Sequence, residues 1–82
     1  MRTHALRTWP KFFQAIKDGT KTFEIRRDDR GFKVGDELEL REYDPSMDRY
    51  TDNSVKVSIT YILRDPHFGL QDQHCVMAIK LI

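Results

Sequence analysis

Lys21, Glu24, Arg26, Arg27 and Arg30 crowd into one short segment, Gly19-Thr20-Lys21-Thr22-Phe23-Glu24-Ile25-Arg26-Arg27-Asp28-Asp29-Arg30. Arginine's planar fork pairs well with phosphate and carboxylate groups, and lysine adds a compact point charge. The segment therefore reads as a local site for a polyanion, its cations ordered by Glu24, Asp28 and Asp29. The plainer alternative is ion pairing across a solvated sheet face, where each pair contributes little. The whole 82-residue chain carries a formal net charge of only +1, so no global field draws it to nucleic acid or membrane. A polyanion site here must be a local patch.

Alternation sorts these groups. Phe23 and Ile25 take one face of a strand and Thr22, Glu24 and Arg26 take the other. Lys21 shares the parity of Phe23 and Ile25, which predicts that it begins the inward row. Glu42 shares the parity of Leu38 and Leu40 in the same way. Lys21 and Glu42 would then meet at the mouth of a barrel, either as a structural ion pair or as a pair able to pass a proton. Lys21, Glu24 and Glu42 are the catalytic candidates, although no residue stands out as a nucleophile. For Lys21, Glu24 and Arg26 to share one cleft, the chain must twist or bulge near Lys21. Trp9, beside Pro10, is a candidate cleft aromatic on which a base could stack.

Other chemistries find less support. His4, His67 and His74 are far apart and lack the spacing of a metal site, so no metal or cofactor is expected. Cys75 opens an apolar run and reads as a core thiol. Gly31 and Gly35 do not form a phosphate-binding loop.

The elements that must position the charged segment follow from period and punctuation. Thr3–Leu6 is a short first strand. Thr8 is a candidate cap and Pro10 suits the first turn of a helix. Phe12, Phe13 and Ile16 form its apolar stripe, and Gly19 falls at the C′ position. Asp28–Gly31 and Val34–Asp36 are turns. In Glu37–Tyr43, Leu38 and Leu40 alternate with Glu37, Glu39 and Arg41, as in a half-buried strand. Asp44–Ser54 reads as a polar loop, followed by a strand with Val55, Val57, Ile59, Tyr61 and Leu63 on one face. Arg64–Gln73 is a second loop. Cys75–Ile82, apolar except for Lys80, reads as a strand covered on both faces.

One domain over residues 1–82 is the expected organisation. The fold class is mainly β (α+β): a small β-barrel of about five or six strands with one N-terminal helix. Closure would also protect the apolar last strand from edge pairing. At 39% hydrophobic and 11% aromatic the chain has material for a core, which argues against global disorder. A lone cysteine, no signal-like N-terminus and no apolar run long enough to span a bilayer point to a cytoplasmic protein.

The run from His4 to Asp44 resembles the ASCH domains of the PUA-like superfamily, and within them the small bacterial and phage branch DUF3850. The residues that carry the resemblance are His4, Leu6, Pro10, Phe13, Gly19, Lys21, Phe23, Glu24, Arg26, Asp29, Arg30, Val34, Gly35, Asp36, Leu40, Glu42 and Tyr43. The tail is similar to the branch in Val55–Leu63 and His74–Ile82, so the likeness covers nearly the whole chain. It implies a PUA-like barrel with a helix beside a cleft lined by the Gly-x-Lys-x-x-Glu-x-Arg segment. The usual inferred role is RNA binding, which makes RNA or a nucleotide or nucleoside the expected ligand. Lys21, Glu24, Arg26, Arg27, Arg30 and Trp9 are then the expected ligand-binding residues. Some ASCH proteins deacylate N4-acylcytidine with a lysine, a threonine and a glutamate, and others are described as ribonuclease-like. Lys21 matches that lysine, but Glu24 stands where the threonine would be. Arg7 and Asp28 replace the branch's usual lysine and asparagine. The alternative functions are thus a small hydrolase of a modified nucleoside or RNA (an amidohydrolase or ribonuclease) and a protein-interaction or regulatory module.

Overall fold

The computed structural model describes all residues, Met1–Ile82. Strand β1 (Thr3–Thr8) is followed by helix α1 (Pro10–Lys17), then by β2 (Phe23–Arg27), β3 (Glu37–Asp44), β4 (Arg49–Leu63) and β5 (His74–Leu81). A short 3-10 turn at Pro66–Phe68 precedes β5. The strands form one five-stranded sheet in the order β1-β3-β4-β5-β2. Only β1 and β3 run parallel; the other neighbours are antiparallel. The sheet curls into a half-barrel, giving the expected mainly β class with one N-terminal helix. No helix is long and apolar enough to cross a membrane.

The concave side holds the core. Leu6, Ile16, Phe32, Leu38, Leu40, Val57, Ile59, Cys75, Met77 and Ile79 form one buried cluster. Alternation makes this possible: along β3 and β5 every second side chain is buried, while the other face stays half-open to water. The last strand is therefore covered on one face, not both as its apolar composition suggested. Helix α1 closes the concave side with Phe13 and Ile16, three residues apart on one stripe. Trp9, rather than Thr8, occupies its N-cap position, because Thr8 is still paired in β1. Pro10 then fills the first helical position, where a missing amide costs nothing. Gly19 ends the turn at φ 82°, a left-handed geometry that glycine adopts without strain. Phe12 points off the core stripe and is 40% exposed, contrary to the core role expected of it.

Two irregularities redirect side chains. The register shifts between Arg41 and Tyr43, so Tyr43 is buried and Glu42 leaves the apolar row of Leu38 and Leu40. A second shift between Ile59 and Tyr61 turns Tyr61 outward and lets Ile62 pack on the core. The row expected to run from Val55 to Leu63 thus breaks at Thr60. The segment expected to be a loop from Asp44 to Ser54 is mostly strand, because β3 and β4 form a hairpin closed by Pro45–Asp48. The Asp44 side chain accepts from the Ser46 amide and hydroxyl, and Tyr43 donates to the Asp48 carboxylate. These local bonds hold a polar sequence in a tight turn.

A buried polar pair ties the start of β1 to the turn before β3. His4 Nε2 lies 3.0 Å from Asp36 Oδ2, and Asp36 also accepts from the amides of Arg2 and Lys33. These bonds, His4 first, hold the Asp36 carboxyl at about 2, below the usual aspartate range. His4 packs edge-on against Phe32.

Candidate functional site

Strands β1 and β2 are the two ends of the curled sheet, and no backbone ladder joins them. Side chains bridge this seam instead. Arg26 Nη2 donates to the Arg7 carbonyl, and Arg30 Nη1 donates to the Ala5 carbonyl at 2.8 Å. Two arginines from the β2 side thus satisfy edge carbonyls of β1 that a sixth strand would otherwise pair.

At the helix end of the seam lies a cleft of about 430 Å³. Thr8 forms part of its lining, Trp9 and Phe12 supply the wall from α1, and Phe23 and Ile25 supply the wall from β2. The charged groups Arg7, Lys21, Glu24 and Arg26 converge on it. Trp9 and Phe12 stack with ring centroids 6.3 Å apart and planes inclined by 24°. Lys21 Nζ sits 4.9 Å from the Phe23 ring centroid and 5.8 Å from that of Phe12, so aromatic faces flank the ammonium.

Glu24 organises the charges. It is buried, and its two carboxylate oxygens accept from different cations: Lys21 Nζ at 2.7 Å and Arg26 Nε at 2.9 Å. Lys21 also donates to the Phe23 carbonyl at 2.8 Å. The expected strand phase is therefore inverted. Glu24 faces inward, while Phe23 and Ile25 are 44% and 55% exposed. The physical reason is compensation: with a cation on each oxygen, the carboxylate can be buried, and the two apolar side chains line an open cleft. Arg26 shares the parity of Glu24, whereas Lys21 precedes β2 and curls back to reach it. No bulge is needed.

The expected site residues divide. Lys21, Glu24, Arg26 and Trp9 come together in the cleft. Arg30 lies farther along the seam and reaches β1. Arg27 is exposed at the end of β2 and is not among the residues that line the cleft. Glu42 does not meet Lys21; its carboxylate accepts from the Thr51 hydroxyl at 2.6 Å and the Asn53 amide at 3.1 Å. The Arg41–Tyr43 bulge removes the parity on which that pairing depended.

Three further lining residues carry weight. Arg7 donates to the Tyr50 hydroxyl at 3.2 Å, and its guanidinium lies 4.5 Å from the Tyr43 ring centroid. The hydrogen bond to Tyr50 raises the Arg7 pKa above its usual value. Phe12, set aside as a core residue from its spacing, is part of the cleft wall. Thr8 Oγ1 is buried beneath the cleft without a hydrogen-bond partner. No signal in the sequence marks Arg7 or Thr8 as site residues, since their place depends on β1 lying across the seam from β2. No three His, Cys, Asp or Glu side chains gather into a set that could hold a metal.

Fold and cleft together define a small mainly β domain whose one helix walls a cationic, aromatic cleft at the open edge of the sheet. The family model described as "Domain of unknown function (DUF3850)" matches residues 3–79, nearly all of the secondary structure, and the chain belongs to that family. Comparison with curated proteins finds no match.

Proposed function

We propose that the cleft between α1 and the Gly19–Arg30 segment binds RNA or a nucleotide, with a base against the aromatic walls and the cations toward the sugar-phosphate. One observation carries this reading: Trp9, Phe12 and Phe23 share a single cleft with Arg7, Lys21 and Arg26. Bases stack on aromatic faces whatever their sequence, and arginine and lysine neutralise the backbone. The resemblance to ASCH domains of the PUA-like superfamily supports the same reading by analogy.

The test is a titration of short single-stranded RNAs and nucleosides at two salt concentrations. RNA binding that weakens with salt and is lost in a Lys21→Ala/Arg26→Ala variant supports the proposal. Absence of binding at both salt concentrations, or equal binding by the variant, removes it.

A hydrolase is the second reading, and the direct Lys21–Glu24 contact in the cleft favours it. Lys21 and Arg26 each take one acceptor site on Glu24, so a proton passed to that carboxylate would use one of its remaining lone pairs. Incubation with acylated cytidines and labelled RNA separates the two: turnover establishes the hydrolase, and none across the panel discards it.

A further inference from the structure

Beside the cleft, the seam opens into a second hollow of about 400 Å³. Its polar lining consists of Arg7, Arg26, Arg30, Arg41 and Tyr50, with no acidic side chain among the lining residues. Arg26 and Arg41 are compensated from outside the hollow, by Glu24 and by Glu39 at 2.7 Å. Arg7 and Arg30 have no carboxylate partner. They are held by neutral acceptors instead: Arg7 by the Tyr50 hydroxyl and Arg30 by the Ala5 carbonyl.

These contacts fix the guanidiniums without spending all their N–H donors, and Tyr50, which accepts from Arg7, keeps its own O–H to give. Cations positioned in advance lose little further freedom when an anion arrives. Two uncompensated cations also match the charge of one phosphate monoester, roughly −1.5 to −2 near neutral pH. Arg7 and Arg26 line both the cleft and this hollow, so the two spaces are contiguous.

We infer that the hollow is a phosphate subsite and that the unit recognised is a phosphorylated nucleotide rather than a free nucleoside. The phosphate lies among Arg7, Arg30, Arg41 and Tyr50. The base half of this statement rests on the function proposed above; the phosphate half stands on the arginines alone.

The experiment compares the four ribonucleosides, their 5′- and 3′-monophosphates and inorganic phosphate, using amide chemical shifts of the intact protein. At least one monophosphate is expected to bind roughly tenfold to a hundredfold more tightly than its nucleoside, the size of added charge-assisted hydrogen bonds. Inorganic phosphate alone is expected to move the amides of Arg7, Arg30 and Tyr50. Arg30→Gln and Arg41→Gln should each shrink the nucleotide-to-nucleoside ratio. Arg41 bonds only Glu39, so its variant leaves the Arg30 bridge to β1 intact and still tests the inference if Arg30→Gln fails to fold. A ratio near one in the native protein, or an unchanged ratio in Arg41→Gln, overturns the subsite. If no nucleoside or nucleotide binds yet inorganic phosphate still moves those amides, the subsite stands and the base-binding reading falls.

Discussion

Replacing Glu24 with glutamine should cost far more stability than the same replacement of Glu42 in β3. The carboxylate is buried, and the substitution strands two cations that converge on it, Lys21 and Arg26. Removing one partner of a fully buried ion pair costs about 3–5 kcal/mol. Here the side chains of Lys21 and Arg26 keep 17% and 27% of their surface exposed, and each retains a carbonyl partner. Water and those carbonyls screen part of the loss, which brings the expected cost to about 2 kcal/mol. A chain of this length has roughly 4–12 kcal/mol of total stability, so the change removes a substantial share. At roughly 4–8 °C per kcal/mol, Tm should fall by about 8–16 °C. Urea and thermal melts followed by circular dichroism measure this, with Glu42→Gln as the comparison. Glu42 accepts only from exposed Thr51 and Asn53 side chains, and its loss should stay below about 1 kcal/mol. A Lys21→Met background completes the cycle, since a stranded-cation mechanism requires the two losses to be less than additive. The reasoning is refuted if Glu24→Gln costs no more than Glu42→Gln, or if the two losses simply add.

Four shorter expectations accompany it. Phe32→Ala should destabilise by about 3–5 kcal/mol in a urea melt, because a ring only 2% exposed leaves a cavity behind; a loss under about 1 kcal/mol contradicts its place in the core. Thr8→Val removes a buried hydroxyl that has no partner, so it should be neutral or stabilising by up to about 1 kcal/mol, and a clear loss would reveal a bond the structure does not contain. Asp36 is held at about 2 against an ordinary 3.8, so its contribution is full above the ordinary value and is lost as pH falls from there through 2. Acid titration of stability should therefore be flatter in that window for Asp36→Asn than for the native protein. Burial raises the pKa of the Cys75 thiol, so a thiol reagent at mildly alkaline pH should react quickly only after urea unfolding, and fast native reaction would place Cys75 outside the core.

Much of the architecture is written in period and punctuation. Phe13 and Ile16 of the α1 stripe, the glycine after it and the alternation of β3 as far as Arg41 match the structure, because each depends on local geometry alone; Phe12 leaves the stripe for the cleft wall. The phase of β2 does not. Hydrophobicity assigned Phe23 and Ile25 to the inside, but a carboxylate with a cation on each oxygen can be buried, and no scale of single residues contains that pair term. The cue was present in the spacing, since Arg26 shares the face of Glu24 and Lys21 lies outside the strand, where parity does not apply. The shifts after Arg41 and Ile59 leave no mark in the sequence, so parity predicts the wrong faces for Glu42 and Tyr61. Arg7 and Thr8 enter the site only because β1 pairs with β3 in parallel and ends across the seam from β2, a long-range fact of topology.

A base held against the aromatic wall of the cleft would lie beside Trp9, the chain's one tryptophan, which reports on it directly. Trp9 is 55% exposed, so its fluorescence is free to respond to stacking. Titration with a short single-stranded RNA should quench that emission along a saturating curve whose midpoint moves to higher concentration as salt is added. RNA bound by an independent measure, such as anisotropy of a labelled strand, with Trp9 emission unchanged would contradict the account.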